Sequence, residues 1–143
     1  MRGMKGADLQ HRLTEIFGRS TLPMVSAYLF GSRAAGPGHR ESDIDVAVLL
    51  DYFVYPTSGA RFEARVGLTS MLIGALAFNA VDVVVLNDCP PLFARRIVLE
   101  GTRVFCADSD GDRAFVRDVQ LKAPDVQRFL DRTRASKIAA LSR

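Results

Sequence analysis

One segment limits the fold of this chain more than any other, because residues 43–50 predict a strand with two acids on one face and apolar residues on the other. Side chains two residues apart on a strand point the same way, so the core face carries Ile44, Val46 and Val48. Asp43 and Asp45 share the opposite face, where neighbouring carboxylates repel each other. A divalent cation would remove the repulsion, and oxygen ligands favour Mg²⁺. The alternative is a strand end with two solvated aspartates.

Around this strand, apolar periodicity and the positions of Gly and Pro predict alternating helices and strands. The predicted order is a helix over Ala7–Gly18, a strand over Met24–Phe30, the strand Asp43–Leu50, a helix over Ser58–Asn79, a strand over Val81–Leu86, a helix from Pro90–Pro91 to Glu100 and a strand over Thr102–Ala107. The remainder, about 109–141, predicts helices in two pieces that separate near Pro124. The class is therefore α/β (α+β), with a small mixed sheet of about four strands flanked by helices in one domain over residues 1–143.

A third acid, Asp82, is the one charged residue in the apolar strand Val81–Leu86. The valines on both faces predict that this strand is central in the sheet, with Asp82 near its beginning. A buried acid needs a partner or a metal ion, so a strand next to residues 43–50 would bring three carboxylates together. Such a triad is typical of two-metal phosphoryl or nucleotidyl transfer. The alternative is a strand-edge acid that caps a neighbouring helix.

The pair Gly31-Ser32 follows directly after the predicted strand Met24–Phe30. A glycine at a strand end lets a ligand approach the backbone, and free N–H groups and a serine hydroxyl suit a phosphate. Gly-Ser turns are common, so this pair indicates a phosphate-binding site only in combination with the acids.

Gly31-Ser32, ten further residues and then Asp43-Ile44-Asp45 reproduce the pattern G-S-x10-D-x-D. The wider contexts LFGSRAAG (29–36) and SDIDVAVL (42–49) are more specific. With these motifs the chain resembles the polymerase-beta nucleotidyltransferase superfamily. Within it, VDVVVLN (81–87), LEGTRVF (99–105) and the closing helices resemble the minimal nucleotidyltransferases (MNT proteins), which are paired with HEPN-domain partners in prokaryotic toxin–antitoxin modules.

The resemblance implies roles for individual residues. It implies that Gly31 and Ser32 hold the triphosphate of ATP, with a phosphate contact from Arg33. It implies that Asp43 and Asp45 bind two Mg²⁺ ions, and that Asp82 helps to hold the metal and takes the proton of the attacking hydroxyl. The implied reaction is transfer of AMP from ATP to a tyrosine hydroxyl of a HEPN toxin, which neutralises it. No element of the motif is missing from this sequence.

Composition excludes several other classes. The longest apolar runs are far shorter than the ~20 residues that span a bilayer, and the first residues lack the apolar stretch of a secretory signal, so a cytoplasmic protein is expected. Cys89 and Cys106 lack metal-type spacing, and His11 and His39 are expected to face solvent, so none of the four is a candidate metal ligand. Residues 112–143 carry eight Lys and Arg against four Asp, whereas the other 111 residues sum to −1. Direct nucleic-acid binding is not expected, because a solvated basic helix explains this excess equally well.

The short length after the last predicted strand favours an acceptor that another protein presents, because it leaves no room for a separate acceptor domain. Tyr52, Tyr55 and the basic C-terminal helices are candidate contacts for that partner, with ordinary surface residues as the alternative. Two other functions remain open on the sequence. One is a non-catalytic antitoxin that acts by complex formation, against which the intact triad counts. The other is a nucleotidyltransferase for a small hydroxylated molecule such as an aminoglycoside, with an acceptor site completed by a dimer.

Overall fold

The computed structural model describes residues 6–31 and 43–141, and within the last helix the side chains up to 124 and at 128 and 131–133. The described elements are α1 (Gly6–Arg19), β1 (Met24–Phe30), β2 (Ile44–Leu50), α2 (Ser58–Leu76), β3 (Val81–Val85), a short 3₁₀ turn (Leu86–Asp88), α3 (Pro91–Glu100), β4 (Thr102–Cys106) and α4 (Ser109–Leu141). The strands form one mixed sheet in the order β3-β2-β1-β4. β1 is antiparallel to β2 and β4, whereas β2 and β3 are parallel. This arrangement confirms the predicted class.

Helices cover both faces of the sheet. On one face, α1 and α2 bury leucines against β2, and the strand residues there are the predicted Ile44, Val46 and Val48. On the other face, α3 and α4 pack against Ala47 and Leu49. A second buried layer therefore covers Ala47 and Leu49 on the acid face of β2, whereas Asp45 at its start is half-buried and Asp43 is exposed.

β3 is an edge strand, so the prediction that it is central was wrong. Helices pack over both faces of this edge strand. Val83 and Val85 lie in the core that contains α1 and α2, and Val84 packs against the layer that contains α3 and α4. Asp82 is exposed, and its side chain keeps 56% of its accessible surface.

The C-terminal segment forms one helix, α4, and not the two predicted pieces. Pro124 lies inside it, where a proline removes its own backbone donor and bends a helix but need not end it. Val119 and Ala123 are buried just before the proline, so tertiary packing holds this part of α4 in helical form.

No helix in the part of the chain that the structure describes is long and apolar enough to cross a membrane.

Candidate active site

The three predicted acids meet at one end of the sheet, where β1 ends and β2 and β3 begin. The antiparallel pairing of β1 and β2 places Phe30 opposite Asp45, so Gly31 follows at the same end. The parallel pairing of β2 and β3 places Asp82 directly beside Asp45. Residues opposite each other in neighbouring strands point to the same face, so these two carboxylates share a face. Asp43 immediately precedes β2.

Gly31 is required here for two reasons. Its φ angle is +78°, a left-handed conformation that residues with a side chain rarely adopt. A Cβ at this position would also overlap an oxygen of the Asp45 carboxylate and lie 3.2 Å from its Cγ. The absence of a side chain therefore makes room for Asp45. The other two predicted phosphate-binding residues, Ser32 and Arg33, lie outside the described residues.

The Asp45 carboxylate stands in an unfavourable electrostatic environment. Its pKa is raised, first by partial burial and then by the negative charges of Asp82 and Asp43. Among the described residues, no donor hydrogen bonds to this carboxylate. A bound divalent cation would offset all three effects, because it replaces lost hydration and neutralises the neighbouring charges. The donor chemistry therefore fits a cation such as Mg²⁺.

The three acids are not arranged as a preformed metal-binding site, although their charges interact. Within residues 6–31 and 43–141, no three acidic, His or Cys side chains are arranged as metal ligands. Asp82 is directed to a different partner, since its Oδ1 lies 3.6 Å from Nη2 of Arg65 on α2. Both side chains are largely exposed, so this long ion pair is weak and easily exchanged.

Sequence reasoning missed Arg65, because the pattern that predicts α2 does not show which strand lies under each of its turns. The pairing could be found only once β3 was placed under α2 at the edge of the sheet.

The remaining sequence candidates lie away from this end or outside the described residues. His11 lies on α1 and is exposed, as predicted, and its Nε2 is 3.1 Å from Oε1 of Glu15. His39 is outside the described residues. Tyr52 is half exposed, and Tyr55 packs partly against the core. Cys89 and Cys106 are free thiols.

Comparison with known proteins places the chain among nucleotide-transferring enzymes. A family model described as "Polymerase beta, Nucleotidyltransferase" matches residues 12–110. That range contains Gly31 and all three acids.

Among characterised proteins, the chain is 31% identical to the protein adenylyltransferase MntA of Shewanella oneidensis over 108 residues, which span 72% of this chain and 70% of that protein. Among solved structures, it resembles a chain of a toxin–antitoxin complex with AMP-PNP, at 25% identity and a TM-score of 0.62, covering 94% of this chain and 98% of the other. It also shares its fold with a chain of a complex between a tri-AMPylated HEPN toxin from Shewanella oneidensis and an MNT antitoxin, at 22% identity and a TM-score of 0.59, covering 96% of this chain and 99% of the other.

Proposed function

Because the chain belongs to the polymerase beta nucleotidyltransferase family, we propose that it transfers AMP from ATP to a tyrosine hydroxyl of a HEPN-domain toxin and so acts as the antitoxin. The observation that carries this proposal is the juxtaposition of Asp45, Asp82 and Gly31 at one end of the sheet. The relative named as a protein adenylyltransferase supports the acceptor class, and the structure with AMP-PNP supports an adenine nucleotide as the donor.

The proposed reaction is an in-line substitution at the α-phosphorus of ATP. The acceptor oxygen forms a bond to the α-phosphorus, the bond to the bridging oxygen breaks, and pyrophosphate leaves with the electron pair. Asp82 accepts the proton of the attacking hydroxyl, which its exposed position at the edge of the sheet permits. When Mg²⁺ is bound by Asp43, Asp45 and Asp82, it supplies charge neutralisation for the triphosphate and acidifies the acceptor hydroxyl.

The chain's own residues account for how the donor is held. The backbone at Gly31 offers a turn without a side chain, which the triphosphate can approach closely. Ser32 and Arg33 are proposed to add a hydroxyl and a cation to the phosphates. Arg65 neutralises Asp82 until the donor and its cation arrive, and the length of this ion pair allows the exchange.

Intact-protein mass spectrometry tests this proposal. The full chain is incubated with ATP, Mg²⁺ and a HEPN-domain protein as the candidate partner. We expect the mass of the partner to rise in steps of one AMP. The variant Asp43→Asn/Asp45→Asn should produce no rise.

A charge-matched control is the variant Asp8→Asn/Glu15→Gln, which removes two exposed carboxylates from α1 and should leave the transfer intact. No mass increase with the unaltered chain, while the partner still co-purifies with it and is still silenced, would reject AMP transfer in favour of inhibition by complex formation.

A further inference from the structure

A groove of about 570 Å³ runs along the outer edge of β3, beside the acids but separate from them. The floor of the groove is Val84 and Val85 of β3. One wall is the first half of α2, with Phe62, and the other is the start of α3, with Phe93. The groove therefore lies where two helices project beyond the last strand of the sheet.

The walls of the groove are largely apolar and accessible. Phe62 keeps 60% and Phe93 keeps 40% of its accessible surface, which is high for phenylalanine. Burial raises the pKa of the nearby Cys89 thiol to about 11, so this wall residue is uncharged at neutral pH. An apolar side chain from a partner would bury both rings at once.

Among the described residues, no strand pairs with the outer edge of the strand at the base of the groove. β3 pairs with β2 on one side, and it is the last strand in the sheet order on the other. An edge strand presents backbone N–H and C=O groups to which an extended segment can add. The groove is thus suited to an extended peptide more than to a compact ligand.

The groove leads directly to the acids. Val84 follows Asp82 by two residues, a distance of about 7 Å along a strand. A segment that pairs with the outer edge of β3 would therefore carry a residue past Asp82. Arg65 lines the groove and also contacts Asp82, so it stands at the junction of the two.

The charged side chains that line the groove indicate which kind of segment it can bind. The acid of the groove wall, Asp88, is already held by Arg61 through contacts of 2.9 to 3.2 Å. Arg65 has only the 3.6 Å contact to Asp82 among its described ion pairs. The groove therefore offers a cation to its occupant, and an acidic side chain complements it.

We propose that this groove binds an extended segment of the protein acceptor, which adds to the outer edge of β3, packs an apolar side chain between Phe62 and Phe93 and brings its hydroxyl to Asp82. An acidic side chain of the same segment pairs with Arg65. This inference rests on the proposed function, because the occupant is the HEPN-domain acceptor itself.

The test uses the full chain, a HEPN-domain protein as the candidate partner and the variant Phe62→Asp, with Leu99→Asp as the control. Leu99 is 52% exposed near the end of α3, so the control makes the same kind of change away from the groove. Calorimetry gives the Kd of the complex, mass spectrometry gives the acceptor KM, and titration with AMP-PNP and Mg²⁺ gives nucleotide affinity. A second variant, Phe93→Ser, repeats the test from the opposite wall.

We expect Phe62→Asp to raise the Kd and the acceptor KM about tenfold to a hundredfold, with AMP-PNP affinity unchanged. Hydrogen exchange of the β3 amides should slow in the complex with the unaltered chain. Unchanged Kd and KM in both groove variants would overturn the inference, and so would an equal loss of AMP-PNP affinity, which would assign the groove to the nucleotide.

Failure of the proposed function gives a different result. If the unaltered chain transfers no AMP but Phe62→Asp still weakens the complex, the transfer reaction is rejected and the groove remains the partner site. If the unaltered chain transfers AMP and the groove variants bind the acceptor normally, only the groove assignment is rejected.

Discussion

Two aspartates, Asp112 on α4 and Asp45 on β2, differ in the hydrogen-bond donors and charges that surround their carboxylates. Asp112 is 2% exposed, yet it accepts hydrogen bonds from Ser26 at 2.6 Å, Tyr28 at 2.7 Å and Arg103 at 3.0 Å. Its charge is therefore fully compensated within the protein. Asp45 is only partly buried, and among the described residues the charges that raise its pKa are the carboxylates of Asp82 and Asp43.

The difference separates a structural acid, Asp112, from the acid to which the proposed function assigns cation binding, Asp45. Asp112 joins β1, β4 and α4, and burial together with its carboxylate raises the pKa of Tyr28, which keeps that hydroxyl a donor. Asp45 lacks such partners among the described residues, and a ligand cation would stabilise it. An uncompensated acid at the end of a sheet is thus better evidence for a site than a buried acid with three donors.

The largest expected effect is on catalysis at Asp45. Asp45→Asn keeps the size of the side chain but removes the charge that would hold a cation. We expect AMP transfer to fall by about a thousandfold or more, because metal-assisted charge neutralisation contributes several kcal/mol to such reactions. The measurement is initial rate by mass spectrometry, at equal concentrations of folded protein. If Asp45→Asn retained a tenth of the activity, the contrast drawn between Asp45 and Asp112 would be contradicted.

The next effect is on stability at Asp112. Asp112→Ala leaves the hydroxyls of Ser26 and Tyr28 without their acceptor in a buried layer. We expect a loss of about 2–4 kcal/mol in the free energy of unfolding, measured by urea denaturation.

Asp112→Asn is the matched control, since it retains a carbonyl acceptor and should lose less. Transfer activity per folded molecule should survive both changes at Asp112. A loss of activity without a loss of stability would mean that Asp112 is not a structural acid.

A smaller effect is expected at Gly31. Gly31→Ala adds a Cβ at a positive φ angle and against the Asp45 carboxylate. We expect a stability cost of about 1–2 kcal/mol together with at least a tenfold drop in transfer, because the carboxylate must move.

Gly67→Ala on α2 is the control for Gly31→Ala, because a Cβ there meets nothing within 4 Å. That change should stabilise the helix by up to about 1 kcal/mol and leave the transfer unchanged. Equal behaviour of the two variants would show that Gly31 does not shape the site.

The smallest effect is the pH dependence of stability at Asp45. Its pKa is higher in the folded state than in the unfolded chain, so the folded state binds more protons between the two values and stability falls as pH rises through that range. Without Mg²⁺, Asp45→Asn should therefore be more stable than the unaltered chain at neutral pH, by no more than about 1 kcal/mol or a few degrees in Tm.

The gain from Asp45→Asn should vanish at low pH, where Asp45 is protonated in both states. Thermal denaturation at pH 7 and at about pH 2.5, well below the ordinary pKa of an aspartate, measures this difference. A stability loss at neutral pH would show that the Asp45 charge is compensated after all. Added Mg²⁺ should raise the Tm of the unaltered chain and not that of the variant.

The sequence determined those features that depend on local spacing. The two-residue period indicated which side chains of β2 face α1 and α2, although Ala47 and Leu49 of the other face are buried as well. The spacing from Gly31 to Asp45 indicated the nucleotidyltransferase family. Strand and helix positions followed from apolar periods, and most ends lie within a few residues of the predicted ones. These properties depend on neighbours in the chain, which a sequence displays directly.

The tertiary structure alone decided the features that depend on long-range packing. It placed β3 at the edge of the sheet instead of its centre and continued α4 through Pro124. It also paired Asp82 with Arg65. Asp112, which the sequence analysis had counted in a solvated basic segment, is buried. Burial and charge compensation arise between residues far apart in the chain, so their free energies depend on which elements meet. The local sequence pattern therefore identified the acids, and only the assembled sheet showed which carboxylates already have hydrogen-bond donors within the protein.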